Sequence, residues 1–416
     1  MMLFTKECKK ILRSVTFILY SIVVVLMFWT QFWGVFKYPM NESNYMTYEG
    51  EKVSGDPELI MPAALDSLVG CYLSNSYVCY PYGFFKSVHL NSEKKKKIEK
   101  YIIEISGLNS NEIDAFKEIS DSYYTRHGTT DYEEYNVNDV PINENMSYER
   151  FKEIMGDVDD ILGGGSDYKP EALAYNFSRV DMTEEELKQE YDDFMEKDHI
   201  SVAYGRLFSD YLGIDLAFVP VFVAAALITA DRRGKMSSLV YSRKVSSFKL
   251  VMTRFAALVF MMIIPVFLCA ALSTVRIMSL YSGNSPSILG FFKISGAWLI
   301  PNITMTTALG MLLSELFSAG VAIFAQFVFW FGGLMMSAAA LYGNIGRFTF
   351  IVRHNCLMHR EDFMANYDNF VFNRIFYTVL SLAIVLLTVF VYELKRGGKF
   401  NGIVFFGKGG LFRRKA

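Results

Sequence analysis

The chain has 416 residues, 52% of them hydrophobic, and a formal net charge of −2. The apolar residues gather into long charge-free runs that a soluble core does not need, which excludes an ordinary globular protein. Near-neutral charge gives no electrostatic case for a nucleic-acid partner, and five cysteines do not make a disulfide framework.

In chain order, residues 1–13 predict an interfacial helix. Leu3, Phe4, Cys8, Ile11 and Leu12 recur at helical spacing, with Lys6, Lys9, Lys10 and Arg13 between them. Residues 14–36 form the first apolar run, between Arg13 and Lys37. About 20 apolar residues cross a bilayer core of ~30 Å. The run is longer than a signal-peptide core and no small-residue cleavage site follows it, so it is read as a retained span. Residues 37–209 form a large insertion with 17 basic and 34 acidic residues, a balance of −17.

The insertion reads as mainly helical. Ile98, Tyr101, Ile102 and Ile105 form one stripe, Ile113, Phe116 and Ile119 another, and Phe151, Ile154, Met155 and Val158 a third behind a Ser147 cap. Thr183 and Glu186 have capping-box spacing, and Gly163–Gly165 marks a loop. Cys71 and Cys79 lie in this segment. An oxidising exterior permits them to pair, and a reducing niche leaves two thiols.

Five more apolar runs fall within residues 210–392. They lie at Tyr211 to Ala230, between Arg254 and Arg276, between Lys293 and Glu315, between Glu315 and Arg347, and between Arg374 and Glu393. Residues 231–249 form a basic loop, and 393–416 a basic tail. Outside the insertion the balance is +15. Six spans put all three basic clusters on one side, and cytoplasmic loops carry excess Lys and Arg. The expected fold is an all-α membrane protein of the cell membrane: six transmembrane helices, both termini cytoplasmic, and a mainly helical extracellular insertion between the first and second spans. The acidity keeps that exposed domain soluble, and would also draw cationic molecules.

No phosphate-binding loop exists. Gly234-Lys235 is followed by Met236, and Thr229 stands where the first Gly belongs. No metalloprotease helix or nucleophile elbow appears, so the chain is not read as an enzyme. His354, Cys356 and His359 are close together, but spacings of two and three match no structural zinc pattern and a fourth ligand is missing. The loop is therefore read as packing at the membrane surface. Polar residues within spans are few: Gln31, Asp215, Asn302 and Gln326. An intramembrane polar group points to function by default, which makes Asp215, Asn302 and Gln326 a candidate substrate path. Asp215 is near a span end and could instead reach the headgroups.

The informative stretch runs from Asp231 to Lys249. Asp231 leaves the second span, Arg232, Arg233 and Gly234 follow, then Met236, Leu239 and Val240 share one side of a short helix before Arg243. This resembles the coupling region of type-two ATP-binding-cassette exporter permeases. Gly234 and Arg243 match, while Lys235 and Met236 stand where a small residue is usual. Tyr80-Pro-Tyr-Gly-Phe-Phe-Lys86 and the stretch from Arg353 through Arg374 resemble the outer domain and last outer loop of such permeases in low-GC Gram-positive bacteria. The resemblance implies a half-transporter that pairs with a second permease, the same or a homologous chain, and with two ATPase subunits. These carry the ATP and magnesium, and this chain binds no cofactor. The rival reading is a membrane sensor whose outer domain binds a ligand; the inner loops are short for a signalling domain.

Overall fold

The computed structural model describes residues 2–416 except 47–49, 82–84, 120–121, 128–129, 243, 285, 338–344, 401–402, 405–412 and 415–416. The chain divides into two units, 2–45 with 188 onward, and Met46–Leu187.

The first unit is a helical bundle. Helix α1 spans Met2–Leu12 and α2 Val15–Met27, with Ser14 capping α2 through a bond from Phe17 N. A π turn and a 3-10 turn extend α2, giving one run Val15–Lys37. After the second unit come α3 (Ser201–Leu216), α4 (Pro220–Arg233) and the short α5 (Ser237–Tyr241). Helix α6 (Ser247–Leu280) starts at a Ser246 cap and α7 (Ile288–Leu316) at a Ser287 cap. Then follow α8 (Ala319–Ser337), α9 (Arg360–Ala365) and α10 (Tyr367–Arg396).

Four helices are long and apolar enough to cross a membrane: Val15–Lys37, α6, α7 and α10. The pair α3 and α4 passes the same test only together, bent by 41° at the break between them. Ala319–Met335 is a shorter apolar stretch. The protein is thus a largely helical membrane protein, whereas the sequence predicts six simple spans. The predicted second span, Tyr211 to Ala230, begins a helix turn or more later than the observed α3. The second compact unit is Met46–Leu187, against the expected insertion 37–209.

Helix α7 is the centre of the bundle, and two glycines let its neighbours approach. A Cβ on Gly205 of α3 would sit 2.5 Å from Ile294 Cγ2 and 3.3 Å from the Phe291 backbone. Gly310 of α7 lies against Ala224 and Val221 of α4, where a Cβ would meet both at 3.1 Å. Small residues at such crossings allow the close packing that holds helices together without a hydrophobic driving force.

The second unit builds its own core around Pro57–Ser74, a helix buried through Ile60, Ala64, Leu65, Leu68 and Val69. The predicted stripes pack there: Ile98, Ile102 and Ile105 from Ser92–Ser106, and Phe151, Ile154, Met155 and Val158 from Tyr148–Leu162. Ser147 caps the latter helix, accepting from Arg150 N at 3.3 Å. Thr183 and Glu186 form the predicted reciprocal box, with bonds of 3.0 and 3.3 Å. Short antiparallel strand pairs complete the unit: Glu51–Val53 with Arg179–Asp181, Tyr77–Cys79 with Lys86–Val88, and Ser122–His127 with Thr130–Tyr135.

Candidate functional site

The loop between α4 and α6 is held from behind by buried charge. Arg254, near the start of α6, is buried and donates to Asp231 at 2.5 Å. Its other neighbour is Glu7 of α1, at 3.6 Å. Lys10 reaches Asp231 at 3.4 Å. Arg232 bonds the carbonyls of Ser314 and Phe317 in the turn between α7 and α8. Lys395 of α10 is buried against Glu315, and Arg396 donates to the carbonyls of Tyr241 and Val245 at 3.0 and 2.6 Å. The rings of Tyr241 and Tyr392 meet edge-on, centroids 5.5 Å apart. Charge-assisted bonds, the strong kind, therefore hold the root of the loop to α1, α6 and α7 and its far end to α10.

Two apolar side chains of the loop are exposed. Met236 is 50% exposed and Leu239 59%, and Val240 is half-buried. Gly234 is exposed and Lys235 takes a positive φ of 54°. Of the predicted coupling residues, Met236 and Leu239 therefore face outward. Asp231 and Arg232 instead serve the bundle, because a carboxylate and a guanidinium at a span end find partners on neighbouring helices. Arg243 lies outside the described residues, as does the Arg233 side chain.

The break between α3 and α4 is the second site. Pro220 has no N–H, so the Leu216 carbonyl loses its helical donor. Phe218 N turns to Asp215 O and Val221 N to Phe218 O, which releases the Ile214 and Ala217 carbonyls. Each released group is taken by a side chain. Thr306 Oγ1 donates toward Leu216 O and Ala217 O at 3.3 and 3.1 Å. Gln326 Nε2 reaches Ala217 O at 2.7 Å, and Trp330 Nε1 reaches Ile214 O at 2.8 Å. Asn302 Nδ2 adds a bond to Gly213 O at 3.1 Å. A break at membrane depth is tolerated only when neighbours re-satisfy the backbone in this way.

Asn302 and Gln326 are thus buried latches on the break. Their amides are committed to backbone carbonyls. Gln326 Oε1 and Asp215 Oδ2 are buried without a hydrogen-bond partner among the described residues. Arg374 of α10 supports the same layer, donating to Asn302 Oδ1 at 2.8 Å and to the carbonyls of Trp298 and Phe350 at 2.9 and 3.3 Å. Asn373 Oδ1 takes its remaining N–H groups. The sequence places Arg374 at the edge of a span; the structure buries it inside α10.

No family model, curated protein or solved structure matches the chain.

At the opposite end of the bundle a third polar cluster fastens residues 353–360. Asp210 of α3 is buried, pairs with Arg353, and accepts the N–H groups of His354 and Asn355. Arg206 and Asp198 form a bidentate buried pair at 2.8 and 2.6 Å, and Arg360 lies 3.3 Å from Asp198. Glu190 accepts from His359 N at 2.5 Å. His354 bonds the Met358 carbonyl at 3.0 Å and Cys356 Sγ at 3.3 Å. Burial, aided by the positive Arg206, brings His354 down to about 3, so it is neutral at ordinary pH. The histidines and the thiol are used in packing, and among the described residues no cluster of three metal-ligating groups occurs.

Cys71 and Cys79 are both buried thiols, not a disulfide. Tyr168 Oη donates to Cys71 Sγ at 3.4 Å. Cys79 sits in a strand whose backbone bridges to Ser166, and both cysteines are packed in the core of the unit. Burial raises the Cys79 thiol to about 11.

Sequence reasoning missed Glu7, Arg254, Thr306, Arg374, Asp210 and Arg206. Pro220 was the readable signal for the break, since a proline inside an apolar run releases a carbonyl that needs a donor. The charges gave no such signal: they stand at run edges, where an exposed residue has the same pattern.

Proposed function

We propose that the chain is the membrane-spanning permease of an ATP-binding-cassette exporter, with six membrane crossings counting the broken pair as one and α8 as another. The basic loop end, with both termini, faces the cytoplasm, and unit 46–187 faces outward. A separate ATPase chain holds ATP and magnesium and docks on the 231–246 loop. A second permease, the same or homologous, completes the pathway in the cell membrane.

The observation that supports this reading is the short helix α5, which exposes Leu239 beside the exposed Met236 that precedes it, yet is clamped from behind by Arg396, with Arg232 and Arg254 at the loop's root. A connector needs no such rigidity. A helix that passes force from a partner to α4, α6 and α10 does. ATP binding energy would bias an existing equilibrium between span arrangements through that contact.

The test is Leu239→Asp. Leu239 is exposed, so the fold tolerates the change within about 0.5 kcal/mol. In an apolar interface an unpaired charge costs several kcal/mol, or about two orders of magnitude in docking. The variant should reach the membrane intact but lose the co-purifying ATPase. Retention of that ATPase at the wild-type level would remove the main support for the exporter reading.

A further inference from the structure

We propose that the groove between α1, the start of α2 and α4 is a binding site for one anionic phospholipid. The hollow, about 270 Å³, is open on one side. Its walls are Val15, Val223, Ala226 and Leu227, and its rim carries Lys10 and Ser14. In a chain that crosses a membrane, such a hollow meets acyl chains, which fill it without stranding a polar group; water would find no partners on those walls.

The rim specifies the headgroup. Lys10 is part-exposed, and Lys9 and Arg13 stand exposed beside it. The one acid of α1, Glu7, is turned inward to Arg254 and so does not offset these cations. Asp231 shares Lys10 at 3.4 Å but is held more closely by Arg254, at 2.5 Å. Lys10 is thus available to a phosphate without leaving Asp231 uncompensated. The Ser14 hydroxyl is spent on the Ile11 carbonyl and on capping α2, so charge supplies the choice. A basic rim over an apolar groove selects a lipid with net negative charge over a zwitterionic one.

The site ties a lipid to the ion cluster that also anchors the loop root. This inference needs only the membrane character of the chain and stands whether or not the exporter reading survives.

The test is native mass spectrometry of delipidated, detergent-purified full-length protein with added phosphatidylglycerol or phosphatidylcholine. Wild type should retain one phosphatidylglycerol in preference to phosphatidylcholine. Each basic residue near an anionic headgroup is worth about fivefold. Lys10→Gln should therefore lower phosphatidylglycerol binding about fivefold and leave phosphatidylcholine unchanged, while Lys10→Arg keeps the preference. Ala226→Trp, which fills the groove, should abolish the retained lipid, and the milder Ala226→Leu, which fills it in part, should weaken retention. Lys6→Gln removes the same charge from outside the groove lining and should change nothing. Equal retention of both lipids by wild type would overturn the proposal. So would full occupancy in the groove-filling variants, or an equal loss in Lys6→Gln, which would mean diffuse attraction to α1.

Discussion

Replacing Arg254 with Met tests whether Asp231 belongs to the bundle or to a partner. Arg254 lies between two carboxylates, at 2.5 Å from Asp231 and 3.6 Å from Glu7, and all three side chains are largely buried. Methionine fills similar volume without charge. It leaves Glu7 and Asp231 facing each other, with only the more exposed Lys10 at 3.4 Å from one of them. Removing one member of a buried ion cluster costs about 3–5 kcal/mol, because the remaining charge is uncompensated. At about 2 °C per kcal/mol for a domain of this size, thermal unfolding in detergent should fall by roughly 6–10 °C. The triple change Glu7→Gln, Arg254→Met, Asp231→Asn removes all three charges and should recover most of the loss, since the cluster's members are coupled. If Arg254→Met melts with wild type, or the triple variant is no better than the single, the cluster is not the anchor described above. Asp231 would then be open to a role in docking.

Other consequences can be measured alongside. Gln326→Leu with Thr306→Val leaves the Leu216 and Ala217 carbonyls without donors; each orphaned group costs about 1–3 kcal/mol, so melting should fall and amide exchange at 217–221 should rise. Unchanged exchange there would mean that the latch does not hold the break. His354 is depressed from its ordinary 6.5 to about 3. The unfolded chain takes up that proton as pH falls through 6.5 while the folded chain resists until about 3, so stability is lost with falling pH across this window. Between pH 7.5 and 5 that loss is about 2 kcal/mol, and His354→Gln should show a correspondingly smaller drop. Cys71 and Cys79 should appear as unlinked peptides in non-reducing mapping and should resist an impermeant thiol reagent on intact cells. Glu93→Cys, at the exposed start of Ser92–Ser106, should label instead; failure to label it would argue against an outward-facing 46–187 unit.

Much of the helical plan was readable. Ser147, Thr183 and Glu186 declare their helix starts by spacing alone, and the stripes at 98–105 and 151–158 bury the side they should. The helix Pro57–Ser74 escaped because its residues are apolar on nearly every side, as befits the centre of a small core; such a helix carries no stripe to count. The short strand pairs escaped because two of the three are three residues long, too brief for a period of two to register. The first helix was read only as interfacial, with no partner named for its one acid. In the structure Glu7 and Ile11 are its buried positions and Leu12 is exposed, because Arg254 offers Glu7 an ion pair that bulk lipid cannot.

By itself the sequence determined that this protein meets a membrane, since charge-free runs of more than twenty residues have few other stable homes. It also determined which of its ends are basic and that a short apolar helix interrupts the loop between α4 and α6. Tertiary structure alone decided what the polar residues within those runs do. Asn302 and Thr306 of α7 and Gln326 and Trp330 of α8 lie 89 or more residues from the carbonyls they bond, and their meeting point exists only once α3 and α4 part at Pro220 and expose carbonyls to be satisfied. A donor's role is set by the acceptor it finds, and that acceptor is a property of the packed helices.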